Sequence, residues 1–229
     1  SSFNSMIAIQ TKMRDDLIEA EKLKQQLSLN LLQQQVNPHF LYNTLDNICA
    51  LAELDEKETL IQLVMNLSSF YRSSLSNGKT HISIGQELEI SRAYLEILQI
   101  RYFHKFDFTI TCPEALKNYS CIKLLLQPIL ENSIYHGIKG LDRHGILHIE
   151  AEDAGDCIRF TISDNGRGFS KEDYEKIWQQ DADHFGIKSI QQRILLYYGP
   201  GYGLSMESPQ TGGCITVITL PKQEGLPCH

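Results

Sequence analysis

The feature that most constrains this chain is a change of periodicity at Asn77-Gly78. Before that dipeptide, apolar residues recur only at helical spacing. After it, helical stretches alternate with short runs in which polar and apolar residues take turns. A period near 3.6 places side chains on one side of a helix, whereas a period of 2 places them on one face of a sheet, so one element cannot satisfy both. The chain therefore reads as α+β in two parts. Residues 1–79 form a helical domain, residues 80–222 a mixed domain of helices and strands, and residues 223–229 a tail; Asn-Gly is a turn signal that suits the boundary. At 229 residues, two small domains can each bury a core.

In the helical part, Met6, Gln10, Met13, Leu17, Ala20, Lys24, Leu27 and Leu31 follow a 3-4 alternation. That spacing predicts a coiled-coil seam, interrupted by Gln10 and Lys24; a single amphipathic helix packed on its own domain is the other reading. Pro38 lacks a backbone donor and crowds the preceding turn, so the helix kinks or restarts there, with Asn37 as cap. Beyond it, Leu41, Leu45, Ile48 and Ala52 form one stripe, Glu53 to Glu58 a turn, and Leu60, Val64, Leu67 and Tyr71 a second stripe. The result is a helical hairpin. Two helices cannot enclose an apolar core, so a homodimer closing a four-helix bundle is expected.

In the mixed part, helices are predicted over 86–103, 123–138 and 186–198, and strands over 106–111, 146–152, 157–163, 204–208 and 214–220. The pair 146–152 and 157–163 reads as a hairpin around Gly155. The net charge of −7 argues against a broad nucleic-acid surface, which needs clustered positive charge, but leaves room for a local nucleotide site. Six cysteines, at 49, 112, 121, 157, 214 and 228, have neither C-x-x-C nor zinc-finger spacing and read as free thiols of a reducing compartment. No run of ~18 apolar residues predicts a membrane span. A first residue of Ser, inside a helical pattern, reads as a piece of a longer chain, with no membrane contact in the piece itself.

Three segments of the mixed part carry candidate chemistry. Asp164-Asn165-Gly166-Arg167-Gly168 follows a predicted strand; its carboxylate can accept from an exocyclic amine, and its glycines let the backbone approach a ligand. Taken alone, such a turn is equally a surface loop. Glu131, Asn132 and His136 are polar residues within an apolar helix. Buried polar groups need partners, and a side-chain oxygen such as that of Asn132 suits Mg²⁺, which is held by few protein ligands together with phosphates and water; a merely solvated polar stripe is the alternative. Gly186-Ile187 opens a helix, whose N-terminus favours phosphate, and Gly212-Gly213 precedes the last strand; separately these are a cap and a turn.

In this order, the segments resemble the nucleotide-binding boxes of the GHKL ATPases, the group that includes DNA gyrase, histidine kinases and MutL. The resemblance covers residues ~81 to 221, a span of typical domain size, and implies a Bergerat-type sandwich of helices over a mixed sheet, with ATP between helix and lid. It assigns the asparagine box to Glu131, Asn132 and His136, with Mg²⁺ on Asn132. It assigns the first glycine box to Asp164, Gly166 and Gly168, the second to Gly186 and Ile187, and the third to Gly212 and Gly213. Upstream, Gln35-Val36-Asn37-Pro38-His39-Phe40-Leu41-Tyr42-Asn43-Thr44-Leu45 resembles the phosphoacceptor segment of LytS-type sensor histidine kinases, which makes the likeness nearly full length.

That resemblance implies ATP-dependent phosphorylation of His39 and transfer of the phosphoryl group to an aspartate of a response-regulator receiver domain. It also implies a cytoplasmic portion of a membrane-anchored sensor. His39 lies about 200° around the helix from Leu41, away from the apolar stripe, and its neutral imidazole is a competent nucleophile. The residue after it is Phe40 rather than an acid, so Glu131 is the candidate base. Asn43, one turn on, is the candidate for orienting water in dephosphorylation of the regulator. Two positions depart from the family pattern: Tyr135 stands where many members carry Lys, and His184, in the expected lid, where a first Gly is usual. Both motivate an alternative, a degenerate kinase serving as a dimeric nucleotide-binding interaction platform. His81, His104, His144, His148 and His229 lack such context and read as structural.

Overall fold

The computed structural model describes residues 12, 14, 38–74, 80–178 and 185–224. The expected seam from Met6 to Leu31, the Asn37 cap and His184 lie outside the described residues. The chain divides into two compact units, residues 1–45 and 46–229.

Helix α1 (Pro38–Glu53) starts at the proline, as the missing backbone donor allows. Within its first two turns Phe40 and Thr44 are buried, and the Thr44 hydroxyl donates to the Phe40 carbonyl at 2.7 Å. Leu45 of the predicted stripe is exposed, so the buried face of these turns is not the one expected.

After a turn over 54–56 comes α2 (Lys57–Ser74). Its buried positions are Leu63, Asn66, Phe70 and Ser74, a 3-4-4 stripe packed on α3 (Ile84–Arg101). The sequence points instead to Leu60, Val64, Leu67 and Tyr71, of which Val64 is exposed and the others half-buried. Asn66 and Ser74 hide the true stripe from a hydrophobicity count. The adjacent face, with Ile61, Val64 and Met65, stays in solvent.

Helix α3 begins two residues before the predicted start because Ser83 and Gln86 form a reciprocal cap: each side chain bonds the other's backbone N–H, at 3.2 and 3.1 Å. It is buried along most of its length. At its end Phe103 and His104 adopt left-handed backbone, with φ 51° and 52°, and turn the chain into strand β2 (Phe106–Thr111). Two short strands unpredicted by the sequence, β1 (His81–Ser83) and β3 (Ser120–Ile122), pair antiparallel beside α3.

The main sheet holds β2, β4 (Gly145–Asp153), β5 (Cys157–Asp164), β7 (Cys214–Pro221) and β6 (Gly203–Glu207), in the order β2-β4-β5-β7-β6. Only β2 and β4 run parallel. Alternation works as the pattern demands: Leu147, Ile149 and Ala151 are buried, while His148 and Glu150 face water. The inner face meets helices α3, α4 (Gln127–Asn132), its continuation 133–138, and α6 (Phe185–Tyr198), which supply Leu95, Leu98, Ile129, Leu130, Ile134, Ile190 and Ile194 to the core. Helix α5 (Lys171–Trp178), unpredicted, follows the loop after β5. The α+β sandwich expected from the sequence is the architecture observed.

Two charged residues set the position of α4. Glu87, fully buried on α3, accepts from the backbone N–H groups of Leu124 and Leu126 at 2.8 and 2.9 Å. Arg193, buried on α6, donates to the carbonyls of Lys123 and Leu124. Leu124 is held at φ 55° between them, and α4, which lacks a side-chain cap of its own, has its entry fixed from both neighbouring helices. Burial pushes the Glu87 carboxyl up, opposed by those N–H groups and by Arg193.

Candidate functional site

The end of β5 brings the separate motifs together. Asp164 closes the strand, and the Asn165 side chain locks the next residue to β4, accepting from the Ile146 N–H at 2.8 Å and donating to the His144 carbonyl at 3.1 Å. The loop is then held from two sides. Arg167 N–H donates to the Gly137 carbonyl at 3.2 Å, and Gly213 N–H to the Gly166 carbonyl at 2.9 Å. Glycine is required at two of these points. A Cβ on Gly166 would sit 2.7 Å from the Gly137 Cα and 2.6 Å from the Asp164 Oδ1. Gly213, at φ 87°, would drive one into the Asp164 carbonyl.

Between these elements lies a cavity of about 80 Å³, lined in part by Asn132, Ser133, His136, Asp164, Gly168 and Cys214. Arg167, Gly168, Phe169 and Asp173 carry it into a wider cleft of about 570 Å³ that Ser208, Gln210 and Gly212 complete. The helical wall has an unexpected form. After Asn132 the α-helix gives way to a π-helical turn, Ser133–Ile138, in which Lys139 N–H reaches back five residues to the Ile134 carbonyl. A π turn widens the helix, and such turns are frequent at functional sites. Here Asn132, Ser133, His136 and Gly137 all reach the same cavity.

Asp164 is the chemical centre. Its Oδ1 accepts from Gly166 N–H at 2.8 Å, while Oδ2 is buried without a hydrogen-bond partner among the described residues. Burial raises its pKa; the Ser133 hydroxyl and the N–H groups of Gly166 and Cys214 act the other way. A shielded, unfilled carboxylate oxygen in a cavity calls for a donor from a ligand, and the exocyclic amine of adenine is such a donor. The glycine cradle leaves the backbone bare beside it. The residues present thus fit an adenine nucleotide. Among the described residues no three His, Cys, Asp or Glu side chains form a metal cluster, so a cation here would depend on Asn132 and on the nucleotide's own oxygens.

The sequence-predicted residues divide accordingly. Asn132, His136, Asp164, Gly168 and Gly212 line the cavity and its cleft, and Gly166 and Gly213 shape the loop behind them. Gly186 and Ile187 do not line it: Ile187 is buried in the core, and a Cβ on Gly186 would come 3.2 Å from that of Pro128, so this pair seats α6 against the start of α4. Glu131 is half-buried on the same helix, outside the lining. Ser133, Arg167, Phe169, Asp173, Ser208 and Cys214 were not singled out by sequence; Ser133, adjoining Asn132, is the one a motif-neighbour rule would have found. In the other unit His39 is exposed on the first turn of α1, as its angular position predicts, and Asn43 is half-buried one turn later.

Comparison with known proteins decides the family. Residues 27–106 match the histidine kinase family, and residues 119–224 match the family described as histidine kinase-, DNA gyrase B-, and HSP90-like ATPase. The sensor histidine kinase YesM of Bacillus subtilis is 31% identical over 219 residues, covering 96% of this chain and 37% of that protein. The sensor protein LytS of Staphylococcus haemolyticus is 27% identical over 221 residues, covering 93% and 37%. The sensor histidine kinase BtsS of Escherichia coli is 33% identical over 181 residues, covering 79% and 31%. The chain belongs to the sensor histidine kinases. It spans about a third of the length of these relatives.

The fold agrees. The catalytic domain of histidine kinase ThkA superposes with TM-score 0.50 at 16% identity, over 64% of this chain and 98% of that one. ThkA in its complex with the response regulator protein TrrA gives 0.51 at 16% identity, over 91% of this chain and 66% of that one. As a histidine kinase this chain keeps the boxes that line the cavity, with Tyr135 as its departure on the asparagine-box helix. Arg101 donates to the Tyr135 hydroxyl at 2.9 Å.

Proposed function

We propose that the chain is the phosphoacceptor and ATP-binding portion of a sensor histidine kinase: it transfers the γ-phosphoryl group of ATP to His39 and from there to an aspartate of a response-regulator receiver domain. The observation that carries this is the buried, unpartnered Asp164 Oδ2 in a cavity that Asn132 and His136 share, in a chain whose other segment presents an exposed His39. Adenine donates its amine to Asp164. The phosphates run past Asn132 and His136 toward the cleft. Asn132 would hold Mg²⁺ through its side-chain oxygen, and the ion would supply charge neutralisation at the phosphates. One His39 ring nitrogen forms the new N–P bond as the bond from γ-phosphorus to its bridging oxygen breaks and ADP leaves. Glu131 accepts the proton of the other ring nitrogen as positive charge builds there. Positioning and charge supply most of the acceleration in such transfers.

The functional division runs near residue 79, with the helical part dimerising and carrying His39, residues 80–222 binding ATP and 223–229 a tail. A homodimer is supported by the apolar side chains that α1 and α2 leave in solvent. Among the described residues no helix is long and apolar enough to cross a membrane. The chain is the cytoplasmic portion of a membrane-anchored sensor in this reading, consistent with relatives more than twice its length.

Thermal melting with and without Mg·ATP tests the nucleotide site. A ligand at 100 times its Kd adds about 2.7 kcal/mol to native stability, so a clear upward shift is expected, and no shift would overturn the reading. Asn43→Ala separates its assigned role: regulator dephosphorylation falls while His39 labelling persists. An unchanged dephosphorylation rate would remove Asn43 from the mechanism.

A further inference from the structure

The peptide group between Asn165 and Gly166 is gripped at both ends. Its N–H, on Gly166, donates to Asp164 Oδ1 at 2.8 Å. Its carbonyl, on Asn165, accepts from Nη2 of the Arg143 guanidinium at 2.7 Å. Arg143 lies on the connection between the π turn and β4, so this grip ties the exit of the asparagine-box helix to the loop that follows β5. The same guanidinium nitrogen lies beside the third glycine box: a Cβ on Gly212 would come 3.9 Å from it. Arg143 lines neither the cavity nor the cleft. It therefore acts on a nucleotide only through what it holds.

Asn165 is engaged at each of its other polar groups as well. Its N–H donates to the Ile146 carbonyl at 3.1 Å, and its side chain accepts from the Ile146 N–H and donates to the His144 carbonyl. Of the groups that hold Asn165, Arg143 is the charged one, and a charged donor makes a stronger bond than a neutral one. A bond to the carbonyl also polarises the peptide, so that the N–H at its other end becomes a better donor. That N–H serves Asp164 Oδ1. Gly137 closes the opposite side of this oxygen, since a Cβ there would come 3.2 Å from it. With Oδ1 pinned, the carboxylate keeps one orientation, and Oδ2 is left buried and without a hydrogen-bond partner among the described residues. We infer that Arg143 is a positioning residue that sets the base selectivity of the site: through the Asn165–Gly166 peptide it fixes the Asp164 carboxylate so that Oδ2 reads the exocyclic amine of adenine. The inference rests on the nucleotide-binding reading above.

The test compares ATP with purine riboside triphosphate, which carries hydrogen in place of the exocyclic amine and is otherwise the same. Affinities for both, with Mg²⁺, are measured by calorimetry on the whole 229-residue chain in a His39→Gln background that prevents turnover. With Arg143 in place, ATP is expected to be preferred at least about tenfold, the worth of a hydrogen bond to a charged acceptor. Arg143 is exposed, so its variants carry little folding risk. Arg143→Met removes the donor and is expected to lower the preference to about threefold or less, chiefly by weakening ATP. Arg143→Lys keeps a charged donor and is expected to hold the preference within about twofold of the parent. Equal losses for the two nucleotides in Arg143→Met, or an unchanged ratio, would make Arg143 merely structural; either result overturns the inference and leaves the nucleotide site standing. Equal binding of the two nucleotides by the parent would remove Asp164 as the amine's acceptor and this inference with it. Absence of any nucleotide binding by the parent would remove the nucleotide reading itself.

Discussion

The sheet and the helices packed on it close their core within one chain, whereas α1 and α2 leave large apolar side chains in solvent. Phe106, Phe160, Leu95, Ile97 and Ile149 are sealed between the sheet and its helices. On α2 one face is equally well buried, with Leu63 and Phe70 packed away, but the next face leaves Ile61 at 56% and Met65 at 62% exposure. Leu45 and Tyr42 on α1 are exposed as well. One region is finished by intramolecular packing; the other carries an apolar surface that a second copy would complete. In the proposed function, a self-sufficient nucleotide binder would serve a histidine borne on a bundle that a second copy completes.

The largest expected effect breaks the finished region. Glu87→Leu strips two backbone N–H groups of their acceptor and removes the carboxylate whose charge favours the buried Arg193 guanidinium. Each buried donor left unsatisfied costs about 1–3 kcal/mol, so urea unfolding should show a loss of about 3 kcal/mol and a matching loss of nucleotide binding. A variant as stable as the parent would mean that the buried charges are not what holds α4. Next in size, Val64→Glu with Met65→Glu tests the unfinished region. Both sites are exposed in the single chain, so stability of the sheet unit should change by no more than about 0.5 kcal/mol. The dimer dissociation constant, by analytical ultracentrifugation, should rise at least about 100-fold through buried charge and lost apolar area. An unaffected dimer would place the interface elsewhere.

The smallest effect has an unusual sign. Because burial raises the Asp164 pKa, the native state binds its proton more tightly than the unfolded chain does. Stability from this group is therefore present below the unfolded pKa and is lost as pH rises through the folded value. Asp164→Asn should then raise the melting temperature of the nucleotide-free protein at neutral pH by a few degrees, about 1 kcal/mol, while abolishing the Mg·ATP-dependent shift. A lowered melting temperature would show that the carboxylate is structural rather than reserved for a ligand.

The same contrast explains what could be read in advance. Strand β2 was legible to the residue and the β4–β5 hairpin nearly so, because alternation over six or more residues is a strong signal. Strands β1 and β3 were not, since three residues carry no period, and neither was the mostly exposed α5. Glu87 and Arg193 look like solvated helix charges until the loop at 123–126 is folded between them. At the site, Asp164, Asn132 and His136 were legible through their motifs. The π turn that carries His136 was not, because it depends on backbone hydrogen bonds that no residue type announces. Gly186 and Ile187 read as phosphate-binding residues; among the described residues they pack where α6 meets α4 and do not line the cavity.

The central claim is that phosphate from ATP ends on His39. Incubation with γ-labelled ATP and Mg²⁺, comparing the unsubstituted chain with His39→Gln, tests it directly. The account predicts acid-labile, base-stable label on the unsubstituted chain and none on the variant. Label that persists in His39→Gln, or no label on an intact dimer that binds nucleotide, would contradict it.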